Sequence, residues 1–507
     1  MKRKSLFLRS SVALLAMGSL AGCANNTSDS STIVVWVGSE SVEYYRALAD
    51  KYLEENPEFG YSISIIGADT GGAAGQMVSD NTACGDIVTI AHDNIGKLSQ
   101  LTYIVPIIDE ELLEQIKDDN PASFQTVIKN MLGDDETYTY TFAAPYISQA
   151  LFLYYDTRYV TDEEAKSFEG LIQAAKRYDA ANGVKGTKSY TVTGTDGYNL
   201  SFPILSRNIT DGNTTSLRLY ENGDGKKAKE VRYDSYAQDN EQVAIVKWMQ
   251  RNYKDPNGGL LESDSPWSTN IEQHKALSVI GGAWHYKSFK DAVTDSAGNS
   301  YMGCTTIPNF TLTAADVEGI NEVNYPNDEY LPEAMRGQKD EVPAVGTVMK
   351  GGSFVDCKCF VINTAKIANA QRYYKLCKLI KYFSTIEAQQ ESFVEALNVP
   401  AYAGAEEYIE TVKDKVEPTA YLMAKAQTGM NIYGIPQPFV TGALNTYYYS
   451  KNAPDYYLQC VKNTGDAYNN VDDIRKVLFR MEYVWKHGGS PANYPASFPT
   501  ETSTTRK

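Results

Sequence analysis

The chain has 507 residues, with 63 Asp and Glu against 47 Lys and Arg, a formal net charge of −16. That balance excludes a nucleic-acid partner, because phosphate binding rests on a basic face. A hydrophobic share of 43% with 22% charged residues excludes a disordered chain and a polytopic membrane protein, and at about 100–200 residues per domain the length implies two or more folding units.

Lys2, Arg3, Lys4 and Arg9 form a basic region, and Val12 to Leu20 is an apolar stretch too short to span a bilayer. This is the pattern of a secretory signal over residues 1–23. It ends in Leu20-Ala21-Gly22-Cys23, which resembles the bacterial lipobox, so Cys23 is expected to be lipidated and to become the mature N-terminus. Residues 24–31 are polar and lack periodicity, as a flexible tether would. No later segment reaches the length of a transmembrane helix.

Ile33 to Val37 is a continuous apolar run with β-branched residues and predicts a strand buried on both faces. Ser39 or Ser41 can cap a helix from Glu40 to Glu55, with Tyr44, Leu48 and Tyr52 on one stripe and Asn56-Pro57 as the stop. Tyr61 to Ile66 reads as the next strand, Gly67 to Gly75 as a turn into a short helix, and Asp86 to Ala91 as a third strand. Such alternation is the grammar of a parallel sheet. Gly71, Gly72 and Gly75 lack the spacing and the acidic ribose partner of a dinucleotide site, so no cofactor is expected. Glu241 to Asn252 and Ala365 to Phe383 carry helical apolar stripes, Phe360 to Ile362 is a buried strand, and Thr385 opens another helix after Phe383. Residues 489–507 are rich in Pro, Ser and Thr without periodicity and predict a disordered tail.

After Cys23 come Cys84, Cys304, Cys357, Cys359, Cys377 and Cys460, scattered rather than set out as a disulfide framework. Cys357 and Cys359 share one face of a strand whose backbone keeps them from bonding easily, so buried free thiols are expected. His92, His274, His285 and His487 have no zinc-ligand spacing, and no metal is expected.

Gly85-Asp86-Ile87-Val88-Thr89-Ile90-Ala91-His92-Asp93 resembles a segment of bacterial extracellular sugar-binding proteins (solute-binding family 1), and its Ala-His-Asp ending is similar to maltose-binding proteins. Ala144 to Leu151, followed by Tyr154-Tyr155-Asp156, is similar to that family's crossover between lobes. Ser384 to Phe393 with Asn398-Val399-Pro400-Ala401 resembles its paired helix and proline turn. A hairpin at Leu219 to Gly223, a late strand at Thr306-Ile307-Pro308, and Ile435-Pro436-Gln437 before a terminal helix are further matches. They run in the family's order from Ile33 to Val484.

The resemblance implies an α/β, two-lobed periplasmic-binding-protein-like fold of type II. Its discontinuous lobes would be 32–148 plus 353–402 and 149–352 plus 403–488, joined by a hinge, with 311–343 as an insertion. It also implies a lipid-anchored, monomeric protein on the extracytoplasmic face of the cell membrane. Such a protein passes an oligosaccharide, maltodextrin-like or other, to the permease of an ABC importer without catalysing a reaction.

Sugar recognition needs planar hydrogen-bonding side chains for hydroxyls and aromatic faces for the C–H side of the ring. Asp93 follows a strand's carboxyl end, where α/β lobes bind ligands, and matches the family's Ala-His-Asp; the alternative is a helix cap. Glu40 follows the first strand in the same way. Gln149 occupies the place where similar proteins often carry a carboxylate. Trp284, in Gly281-Gly282-Ala283-Trp284, matches the family's Gly-Pro-Trp and is the leading stacking platform. Tyr198 and Trp267 are further platforms or buried walls, Trp36 reads as core, and His92 as a backbone-satisfied histidine. Two other classes stay open: a secreted glycosidase, for which no local carboxylate motif stands out, and an iron-binding protein using Tyr154-Tyr155 or Tyr447 to Tyr449.

Overall fold

The computed structural model describes residues 31–132, 135–195, 198–200, 202–203, 205–206, 219–220, 232–233, 240–261, 264–324, 339–354, 356–433, 461–462 and 470–475. The expected signal with Cys23, residues 24–30 of the tether, Ile435 to Gln437, Tyr447 to Tyr449, Cys460 and the tail lie outside the described residues.

The chain opens with β1 (Thr32–Gly38), α1 (Val42–Glu55), β2 (Ser62–Ala68), α2 (Ala73–Asp80) and β3 (Ile87–Ala91). Two strands then meet end to end at Ala150: β4 (Ala143–Gln149) and β5 (Leu151–Asp156). Next come α3 (Phe168–Asn182), β6 (Tyr190–Val192), α4 (Asn240–Lys254), β7 (Gly259–Leu260), β8 (Ser278–Gly282) and β9 (Met302–Thr305). After these follow β10 (Asp356–Ile362), α5 (Ala370–Phe383) and α6 (Ile386–Ala396).

These strands build two five-stranded sheets, ordered β2-β1-β3-β10-β4 and β7-β6-β8-β5-β9. In the first, β1 lies parallel to β2 and β3, while β10 is antiparallel to both β3 and β4. In the second, β6 is parallel to β7 and β8, while β5 is antiparallel to β8 and β9. Each sheet therefore has a parallel trio, one returning strand and a last strand that runs with the trio, and each has its own apolar core.

Among the described residues the chain passes between the two cores several times. Ile147 packs in the first and Ala150 in the second; Phe354 belongs to the second and Cys357 to the first; Val399 belongs to the second and Ala401 to the first. The crossings touch one another, with Ser148 N donating to Val399 O at 2.8 Å and Leu151 N to Ser353 Oγ at 2.9 Å. This is the two-lobed α/β architecture that the resemblance implied.

Local chemistry accounts for the elements, with some corrections. In β1 the alternation leaves Val34 and Trp36 half-buried, so only one face is fully buried rather than both. On α1 the core stripe is Tyr45, Leu48, Ala49 and Tyr52, not Tyr44, whose hydroxyl instead donates to Ala388 O at 2.6 Å. The helix read from Ala365 begins at Ala370, because the Asn369 side chain accepts from Arg372 N and caps it there. Thr385 caps α6 through Ala388 N as expected. Thr306 to Pro308 is not a strand, since β9 ends at Thr305. Leu219 and Tyr220 pair antiparallel with Tyr233 and Arg232. Part of the expected insertion packs on α4, where Arg251 grips Asp316 at 2.8 Å.

In the first lobe a buried ion pair ties three elements. Asp86 Oδ1 accepts from Arg372 Nη2 at 2.6 Å and Asp86 Oδ2 accepts from Val34 N at 2.9 Å. Cys84, Cys304, Cys357, Cys359 and Cys377 are all buried free thiols, and the sulfurs of Cys357 and Cys359 lie 3.3 Å apart. No described helix is long and apolar enough to cross a membrane.

Candidate functional site

In open α/β sheets, ligands bind beyond the carboxyl ends of the strands. Here β1 runs into the turn Ser39–Ser41, β3 into His92–Asn94 and β8 into Ala283–His285. Those three turns carry Glu40, Asp93 and Trp284.

In the first lobe, Glu40 is exposed while Ser41 beneath it is buried and accepts from Asn398 Nδ2 at 2.8 Å. Burial pushes the Tyr146 phenol on β4 up, and the Glu40 charge adds to that rise, so Glu40 stands near this strand. Asp93 is half-buried, with Asn94 Nδ2 donating to its Oδ1 at 2.8 Å. His92 is buried, its Nδ1 3.3 Å from Asp356 Oδ1 on the crossing strand. Burial alone would raise the Asp356 carboxyl, yet the hydrogen bond to His92 holds it below its ordinary value.

Gln149 ends β4 at the first crossing and stands opposite Asp356 in the ladder. Its Oε1 is enclosed and has no hydrogen-bond donor among the described residues. Held at the junction of the two lobes, this oxygen is a buried acceptor whose hydrogen bond is unmet among the described residues.

The second lobe supplies an aromatic wall. Trp284 is 44% exposed, and its ring lies so close over residue 282 that a Cβ there would be 2.2 Å from it; only glycine lets the indole take this place. Tyr198 is buried, 6.1 Å from Trp284 between ring centroids, with planes tilted by 38°. Trp267, half-buried, meets His285 edge to face at 5.4 Å. His285 also contacts Trp284 at 5.5 Å, and burial lowers its pKa to about 4, so the ring is neutral. Trp284, Tyr198 and Trp267 are thus brought together, and His285 joins them although the sequence reading gave it no role. The signal that could have found it is its position directly after Trp284, in a turn entered through Gly281-Gly282.

The iron-ligand reading of Tyr154 and Tyr155 is corrected. Tyr154 is buried and donates to Gly282 O at 3.0 Å, while Tyr155 donates to Asp162 Oδ1 at 2.9 Å, so both hydroxyls are engaged. No group of His, Cys, Asp and Glu that could hold a metal occurs among the described residues. A shallow cavity of about 560 Å³ lies beside Trp36 and α2, lined also by Gln76, Ser79, Asp80 and Cys84, and includes none of the predicted site residues. Trp36 is therefore half core and half cavity wall.

Residues 47–420 match the family described as bacterial extracellular solute-binding protein, and the chain belongs to that family. Its function is thus to bind a solute outside the cytoplasm. Among solved structures, the maltodextrin-binding protein MalE1 of L. casei BL23, without ligand, is similar at TM-score 0.61 and 15% identity, covering 90% of this chain and 99% of that one. The maltose-binding MalE of Listeria monocytogenes, in complex with maltose, is similar at TM-score 0.57 and 16% identity, covering 89% and 97%. MalX of Streptococcus pneumoniae, in complex with maltopentaose, is similar at TM-score 0.55 and 17% identity, covering 88% and 99%. At such identities these likenesses show the fold. No curated protein matches the chain.

Proposed function

We propose that this chain is the lipid-anchored receptor of an ABC importer for a neutral oligosaccharide, held at the membrane through Cys23 and acting as a monomer. The observation that carries the reading is Trp284. A large indole, 44% exposed and backed by Tyr198 and His285, stands at the carboxyl end of β8, where a sugar's C–H face can stack on it. Glu40, Asp93 and Gln149 supply hydroxyl acceptors, with Gln149 adding an amide donor. Similar folds whose structures contain maltose and maltopentaose support a sugar as the solute.

The mechanism is closure. A ligand that contacts both lobes binds the closed form better than the open form, shifts the population towards it, and presents the closed face to the permease. Lobe bounds near Gln149 at the first crossing and between Phe354 and Cys357 at the second, close to the 148/149 and 352/353 bounds suggested by the sequence, are supported by the cores on either side. The test is calorimetry of the mature protein against malto-, galacto- and other oligosaccharides. Binding of one such sugar at micromolar or tighter affinity, without turnover, is the expected result. Turnover of a sugar in place of binding would return the chain to the glycosidase class.

A further inference from the structure

His285 ends the turn after β8 with φ −95° and ψ −1°. Its ring lies against Trp267 and Trp284, with centroids 5.4 and 5.5 Å away. Its Nδ1 is enclosed and has no hydrogen-bond partner among the described residues. The ring reaches that position because residue 281 is glycine: a Cβ there would stand 3.1 Å from Nδ1 and 2.7 Å from Thr193 Cγ2. Burial keeps the imidazole neutral. A neutral imidazole has one N–H and one lone pair. Enclosing an N–H without an acceptor is the rarer and costlier of the two arrangements, so the lone pair belongs on Nδ1 and the proton on Nε2. His285 as a whole is only half-buried, so part of the residue other than Nδ1 reaches the surface.

We propose that His285 is a ligand-contacting residue that sets specificity by offering a fixed, uncharged Nε2–H donor to a hydroxyl or ether oxygen of the bound sugar. The proposal rests on the sugar reading above. The other polar side chains of the site are mainly acceptors: Glu40 and Asp93 offer carboxylate oxygens, and Gln149 an amide group. A sugar hydroxyl that donates to a carboxylate keeps its lone pairs free, and an N–H donor beside the stacking ring completes it. Because that donor carries no charge, it gives no foothold to an anionic glycan beside two carboxylates. The site therefore selects neutral polyols over uronates and sugar phosphates.

The experiment compares wild type, His285→Phe and His285→Gln in the mature protein. The ligands are an oligosaccharide that gives binding heat with the wild type and its singly deoxygenated analogues. His285→Phe keeps a ring in place and should keep the thermal midpoint, yet lose about ten-fold in affinity for the parent sugar. It should bind one analogue, the one lacking the matched oxygen, as well as the wild type does. His285→Gln, whose amide donates, should retain most of the affinity. Nitrogen-15 NMR of the imidazole should show the Nε2–H tautomer at neutral pH. Unchanged affinity of His285→Phe for the parent sugar, or the Nδ1–H tautomer, overturns the assignment of His285 alone. Failure of the wild type to bind any sugar overturns the sugar reading and this proposal with it.

Discussion

Replacing Trp284 by alanine separates a binding role from a packing role. The indole is 44% exposed and belongs to neither apolar core. A Trp side chain offers up to about 250 Å² of surface, so a stacked sugar can cover on the order of 100 Å² of the open part. At ~25 cal/mol per Å² that contact is worth about 2.5 kcal/mol, or about 60-fold in Kd. The covered part of the ring lies over Gly282 and beside one core residue, Tyr198, so the loss in folding stability should be about 1 kcal/mol. Calorimetric titration with the bound sugar measures the first quantity and urea unfolding the second. An affinity within about two-fold of wild type, together with a stability loss of about 3 kcal/mol or more, would show that Trp284 is a core residue and would refute the reasoning.

Three further outcomes follow from the same structure. Arg372→Ala leaves the Asp86 carboxylate buried without its cation, 2.6 Å from where the guanidinium was, and should cost roughly 3–5 kcal/mol in chemical unfolding. Gln149→Glu sets a carboxylate opposite Asp356 in the ladder; the variant should unfold more easily than wild type at pH 7 by about 1 kcal/mol, and the gap should close as acid protonates the new group. The Arg177 guanidinium holds the Glu164 carboxyl down from 4.5 to about 2. A depressed carboxyl contributes stability above its unfolded pKa and loses it as pH falls towards the folded value, so part of the acid unfolding between pH 4.5 and about 2 should vanish in Glu164→Gln when midpoints are compared across that range.

Much of the first lobe was legible because its signals are local. The β-branched run after Thr32 and the Thr385 cap each depend on neighbours within a few residues, while the crossing at Ala144 to Leu151 was legible through its resemblance to the family. Tyr44 and Tyr45 show where that legibility ends. Adjacent tyrosines fit almost the same stripe, and the choice between them came from Phe360, Phe383 and Tyr146, which pack around Tyr45 from distant parts of the chain. The start of α5 was misplaced for a smaller reason: Asn369 competes for the backbone through its own side chain, which an apolar stripe does not register.

The sequence by itself determined the acidic charge and the strand–helix alternation at the start of the first lobe, and, together with the family resemblance, it nominated Glu40, Asp93, Gln149, Trp284, Tyr198 and Trp267, because strand ends and turn residues are written locally. Only the tertiary structure decided which of these meet. Tyr198 and Trp284 are 86 positions apart in the chain yet 6.1 Å apart in space, and nothing in their flanking residues specifies that distance. It likewise decided the state of His285, since solvation of an imidazole depends on what packs around it, here Trp267, Trp284 and the space left by Gly281.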